Sequence, residues 1–152
     1  MPFFLTTSIM KKILIALLLI CGMLSTATIS QAAEQQNTGI SQNSEPTKIG
    51  IIVETKDAEK AWNAFRFAIA AKNNGCEVKV FLMGEGVECE TINEKTFNVG
   101  EKMTEFVKAG GEIFACGTCL KSRQMNGTDV CPMSNMKTCV EIVLWADKML
   151  TF

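Results

Sequence analysis

Two cysteines three residues apart, in Cys116-Gly117-Thr118-Cys119, carry the clearest potential for chemistry in this sequence. The thiolate, not the thiol, is the nucleophile. A C-x-x-C pair at a helix start holds a thiol pKa between roughly 3.5 and 7.5, against about 8.5 for a free cysteine. Each unit is worth about 1.4 kcal/mol of preference for the anion. Lys121 and Arg123 would add positive charge next to the pair. The quieter alternative is a local disulfide or a buried reduced pair. Cys131, before Pro132 in a later loop, is a candidate resolving thiol or a structural one. Cys139 suits a core position, and Cys76 and Cys89 flank a strand. A zinc site would need a second half beyond one C-x-x-C. Cys131 and Cys139 are too far apart in sequence to supply it, so neither metal nor cofactor is expected. Gly84-Glu85-Gly86-Val87 follows a strand, and Gly84 and Gly86 would let backbone approach a ligand or form a tight turn. Gly84, Gly86, Gly117, Thr118, Lys121 and Arg123 are therefore the candidate substrate-binding residues. Glu54 and Glu88 are expected to be solvated carboxylates, and Asp57 a helix cap. The chain has no histidine, which excludes Ser-His and Cys-His dyads and imidazole ligands.

The elements that must position these residues follow from apolar periodicity. Ile49-Gly50-Ile51-Ile52-Val53 is a near-continuous apolar run, typical of a strand covered on both faces. Ala58, Trp62, Phe65 and Ile69 recur at helical spacing, with Phe67 counted in the same inner stripe, until Asn73-Asn74-Gly75. Val78–Met83 is a second strand. Asn98 with Glu101 marks a helix start, and Val99, Met103, Phe106 and Val107 form its inner stripe. Gly110-Gly111 ends it. Ile113-Phe114-Ala115 is a third strand, followed by one or two helical turns over 117–124 and a break at Asn126-Gly127. Ser134 is expected to cap a last helix with Met136, Val140 and Val143 facing inward, before a closing strand over 148–152. Alternating strands and helices predict an α/β fold, a parallel sheet of four to five strands with helices on both faces. Ligand chemistry then gathers at the carboxyl ends of the strands, in loops 54–57, 84–91, 116–119 and 125–134.

The amino-terminal third has a different character. Lys11-Lys12, an apolar run from Ile13 to about Leu24, and Ser30-Gln31-Ala32 match a secretory signal with its cleavage site. The run is shorter than the ~20 residues a spanning helix needs. Residues 1–33 are read as signal peptide, with Met10 rather than Met1 the expected start. Residues 34–47 are a polar, aperiodic linker, and 48–152 form the domain. Ile20 before Cys21 argues against a lipoprotein signal. Without the signal, 13 basic side chains face 16 acidic ones, a net charge of −3. Such a domain lacks an electrostatic footprint for nucleic acid or for an anionic membrane. Export, to the periplasm or outside the cell, places six cysteines where disulfides persist.

Ala115-Cys-Gly-Thr-Cys-Leu-Lys-Ser-Arg123, the Gly84–Val87 turn and Cys131-Pro-Met-Ser-Asn-Met136 with Glu141–Leu150 resemble the DsrE/DsrF-like family over about residues 48–152, in order. The resemblance implies a three-layer flavodoxin-like sheet, assembly as homotrimers or homohexamers, and sulfur relay through a persulfide on the cysteine that matches Cys116. Cys119 matches only members that carry CGTC. Relay members act in the cytoplasm, so an exported one is not expected to deliver sulfur to tRNA. The leading expectation is a sulfur carrier or sulfurtransferase-like protein working with donor and acceptor proteins or small thiols. The alternatives are a thiol–disulfide oxidoreductase using Cys116 with Cys119 or Cys131, and a non-catalytic binding module stapled by disulfides.

Overall fold

The structure, a computed structural model, describes residues 45–152. The expected signal segment and most of the expected polar linker lie outside the described residues. Five strands form one parallel sheet: β1 Lys48–Val53, β2 Glu77–Leu82, β3 Glu112–Cys116, β4 Met133–Ser134 and β5 Lys148–Thr151, in the order β4-β3-β2-β1-β5. The helices are α1 Ala58–Asn73, α2 Val99–Lys108, α3 Gly117–Ser122 and α4 Met136–Trp145, and a 3₁₀ segment runs over Gly84–Thr91.

The order explains the layers. From β1 to β4 the chain steps across the sheet in one direction, so right-handed crossovers put α1, α2 and α3 on one face. From β4 it returns to the far edge through α4, which therefore covers the other face. Ile49, Ile51, Val53, Val78, Val80, Ile113 and Ala115 alternate along their strands into the α1–α2 core. Phe65 of α1 and Phe106 of α2 meet there with centroids 6.1 Å apart. Gly50 faces the other way: a Cβ there would come within 3.1 Å of Ile142 on α4.

Local signals act as expected at two helix starts. Asp57 Oδ1 accepts from Lys60 N–H over 2.9 Å, and Asn98 Oδ1 from Glu101 N–H over 3.0 Å. Four alanines on the inner face of α1, Ala61, Ala64, Ala68 and Ala71, let it lie close to the sheet. Phe67 does not join that face; it is exposed, and Trp62 is half-buried.

Two expectations are corrected in the last third. Asn135, not Ser134, caps α4, its Oδ1 accepting from Lys137 N–H over 2.9 Å. Cys139 and Ile142 are the buried residues of that helix, whereas Met136, Val140 and Val143 face solvent beside Leu144. A single helix crossing a broad sheet face buries only a narrow stripe, so the wider apolar pattern stays outside. The one or two helical turns expected over 117–124 are α3; its end is set at Gln124, which takes a left-handed φ of 58°, and the Met125 amide returns to the Leu120 carbonyl.

Candidate functional site

The carboxyl ends of β1, β2 and β3 bring the four expected loops together. Glu54 O accepts from the amides of Glu85 and Gly86, Cys89 Sγ donates to Thr55 O over 3.4 Å, and Ala115 N–H donates to Pro132 O over 3.0 Å. Met133-Ser134 pairs in parallel with Ala115-Cys116, forming a two-residue edge strand that the sequence pattern does not reveal.

Cys116 is the last residue of β3 and the N-cap of α3, and its side chain makes no capping hydrogen bond. It is 6% exposed yet lines a cleft of about 440 Å³, together with Gly117, Thr118, Cys119 and Lys121 from the predicted set. The opposite wall, Met83, Met133, Ser134, Asn135 and Met136, was not anticipated. Only the Cys131–Met136 run hinted at it, and pairing of β4 beside β3 is what brings it in. Gly117 permits this closeness: a Cβ there would sit 2.9 Å from Ser134 O and 3.1 Å from Met133 Cγ.

Cys119, in the first turn of α3, is half-buried. Gly84 N–H donates to its Sγ over 3.3 Å. The thiol pKa moves upward, against the expectation for a C-x-x-C helix start. Burial is the leading cause, followed by a hydrogen bond with Cys116; the Gly84 amide and Arg123 pull the other way. The balance of these influences favours the protonated form of Cys119. The helix is a turn and a half long, so its dipole is weak against desolvation.

Arg123 is committed elsewhere. Its Nε donates to Glu88 Oε1 over 2.8 Å, and its Nη1 to Cys119 O over 3.3 Å. Lys56 lies 3.7 Å from Glu88 and 3.4 Å from Glu85. Glu88 is thus no free solvated carboxylate: the Arg123 hydrogen bond, with Lys56 beside it, holds its carboxyl below the usual range. This chain of charges ties the 3₁₀ segment to α3. Gly86 is placed by packing rather than by a ligand, since a Cβ would overlap the Val53 carbonyl. Gly84, with φ of 55°, is the glycine of that turn that reaches the cysteine pair.

Cys131 opens on a separate cavity of about 280 Å³ bordered by Val87, Leu120 and Met125. Burial, with the nearby Glu90 carboxylate and Cys89, pushes its thiol up to about 12, and Cys89 is likewise pushed up to about 12 by burial and Glu88. Neither is presented to the cleft. Cys139 lies behind the site; burial and the Cys116 sulfur raise its pKa. All six cysteines of the described residues are free thiols. Among those residues no three His, Cys, Asp or Glu side chains converge as a metal site, and no helix is long and apolar enough to cross a membrane.

A family model described as the DsrE/DsrF-like family matches residues 47–152. The chain is 32% identical over 90 residues to the uncharacterized protein MK0008 of Methanopyrus kandleri, covering 57% of this chain and 74% of that protein. It is 28% identical over 100 residues to the uncharacterized protein MJ0989 of Methanocaldococcus jannaschii, covering 62% and 88% respectively. The crystal structure of the ychN protein from E. coli superposes with a TM-score of 0.62 at 23% identity, over 70% of this chain and 99% of that one. That likeness concerns the fold, a flavodoxin-like parallel sheet.

Proposed function

The chain belongs to the DsrE/DsrF-like family, and from that premise we propose that it is an exported sulfur carrier whose working atom is Cys116 Sγ. Membership supports a role in sulfur transfer. The observation that supports the finer reading is placement: Cys116, at the end of β3 and the N-cap of α3, lines the same cleft as Cys119, whose Sγ accepts from the Gly84 amide. In the loading step Cys116 thiolate attacks the outer sulfur of a donor persulfide. The donor S–S bond breaks, the donor leaves as a thiolate, and Cys116 becomes a persulfide. In the unloading step an acceptor thiolate attacks the outer sulfur of that persulfide, and Cys116 leaves as a thiolate. Lys121, on the rim of the cleft, offsets the negative charge of each form. The exposed stripe of α4, with Leu144 81% exposed, supports assembly into a homotrimer or homohexamer through that face.

The test is mass spectrometry of the reduced protein after treatment with a sulfane donor. One added sulfur on Cys116, absent in Cys116→Ser, is the expected result. Addition elsewhere, or none, would sink the proposal.

The same pairing favours a second reading, a thiol–disulfide oxidoreductase. A mixed disulfide on Cys116 would be attacked by Cys119, releasing the partner thiol and leaving a Cys116–Cys119 disulfide. Turnover of a peptide disulfide without sulfur loading would favour it.

A further inference from the structure

The cleft holds more sulfur than a persulfide relay requires. Two thiols, Cys116 and Cys119, face three thioethers, Met83, Met133 and Met136. The thioethers come from three different places: Met83 between β2 and the 3₁₀ segment, Met133 on the edge strand β4 and Met136 in the first turn of α4. Met133 comes in close because Gly117 has no side chain. Met133 Sδ lies 3.3 Å from where a Gly117 Cβ would stand, one residue from Cys116.

From this convergence we infer that the cleft is also a binding site for a soft monovalent cation, Cu(I) by preference, held by the Cys116 and Cys119 sulfurs with thioether support from Met133 and Met136. Soft thiolate and thioether ligands select Cu(I), hard dications look for carboxylates, and zinc, which also takes thiolates, needs four strong ligands. The chain has no histidine, and no third Cys, Asp or Glu among the described residues joins the pair as a ligand set. A divalent ion is left short of ligands, while a monovalent one is satisfied by few sulfurs. Each thiol that binds releases its proton. The resulting Cu(I) bis-thiolate carries one negative charge, which the Lys121 ammonium on the rim offsets. The Gly84 N–H on Cys119 Sγ orients that ligand, the kind of outer support that metal sites depend on. Two thioethers stand at the open side of the cleft, Met133 at 40% and Met136 at 51% exposure, where an incoming ion meets them first.

The experiment is anoxic titration of the fully reduced protein with the Cu(I)–bicinchoninate complex, on samples never exposed to a sulfane donor. Wild type is expected to bleach the chromophore by one equivalent per chain, and Cys76→Ser, at the other end of the sheet, to do the same. Cys116→Ser and Cys119→Ser are expected to lose that competition. Met133→Leu with Met136→Leu, isosteric changes at exposed positions that leave folding intact, should weaken Cu(I) by about tenfold and lower the sulfur count around copper in X-ray absorption. No bleaching by wild type, or unchanged affinity and sulfur count in the double leucine variant, overturns the site. Sulfur loading of Cys116 is measured without copper, so the two readings fail separately.

Discussion

The amide of Gly84 donates to the Sγ of Cys119 over 3.3 Å, across 35 residues of sequence. It fastens the start of the 3₁₀ segment to the first turn of α3 and gives the more exposed cysteine of the pair one of the two influences that stabilise its anion. Gly84 sits at φ 55°, which costs an alanine roughly 1–2 kcal/mol. Gly84→Ala should lower stability by about that amount, read as a shifted urea midpoint. It should also raise the Cys119 pKa further, read as slower alkylation of that thiol at fixed pH. Unchanged alkylation would show that the amide is not a working partner.

On the proposed sulfur-carrier reading, Cys119 sets how long sulfur stays on Cys116. In wild type, Cys119 can attack the inner sulfur of the Cys116 persulfide, forming a Cys116–Cys119 disulfide and releasing hydrosulfide. Cys119→Ser should load with sulfur and hold it several times longer than wild type, followed by mass spectrometry over time. Equal decay in both proteins would remove Cys119 from the pathway.

Arg123 bridges Glu88 and the Cys119 carbonyl through two different nitrogens. Arg123→Gln should release the 3₁₀ segment, seen as faster amide exchange over Gly84–Thr91, and should raise the Cys119 pKa by removing a nearby cation. Arg123→Lys cannot make both contacts and should behave like the glutamine variant. The carboxyl of Glu88 titrates below its unfolded value. Its contribution to stability is therefore present above the usual carboxylate range and disappears as pH falls through the lower folded pKa. Arg123→Gln should flatten that acid limb.

Alkaline pH should loosen the domain through Cys89 and Cys131. Both titrate at about 12 in the fold, against 9.0 in the unfolded chain. The folded state keeps protons that the unfolded state gives up. Stability is complete below about pH 9 and falls as pH rises towards 12. Urea midpoints measured between pH 8 and about pH 11 should decline in wild type and decline less steeply in Cys131→Ala. A flat profile would contradict the burial of these thiols.

The α4 face offers a test of assembly. Leu144→Lys places a charge at the most exposed apolar position of the stripe and should reduce the sedimenting mass from oligomer to monomer. An unchanged mass would move the interface elsewhere.

The fold was legible where hydrophobic periodicity and caps agree. Ile49–Val53, the Asp57 and Asn98 caps and the alternation of strands with helices lead directly to the parallel sheet. The C-x-x-C pair was legible from type and spacing. Met83, Met133 and Met136 were not, because thioethers carry no distinctive pattern and their convergence depends on β4, whose two residues are too few to show an alternation. The orientation of α4 was misjudged for a related reason. Met136, Val140 and Val143 fit a buried helical stripe by period alone, and only the sheet order shows that Cys139 and Ile142 face inward. The Cys119 pKa was misjudged because motif and helix start suggest a lowered value, while the depth of the thiol in the fold decides the sign.

A parallel sheet has a front and a back. Lys48 begins β1 at the end of the sheet where Glu77 begins β2, and Phe152, just after β5, lies at the opposite end, its carbonyl bonded to the Glu54 amide. A bead, tag or fusion joined ahead of residue 45 is anchored about 20 Å behind the cysteine cleft, the length of a six-residue strand. One joined after Phe152 is anchored on the rim from which partners approach. Immobilisation chemistry that ignores this polarity would obstruct the surface under study.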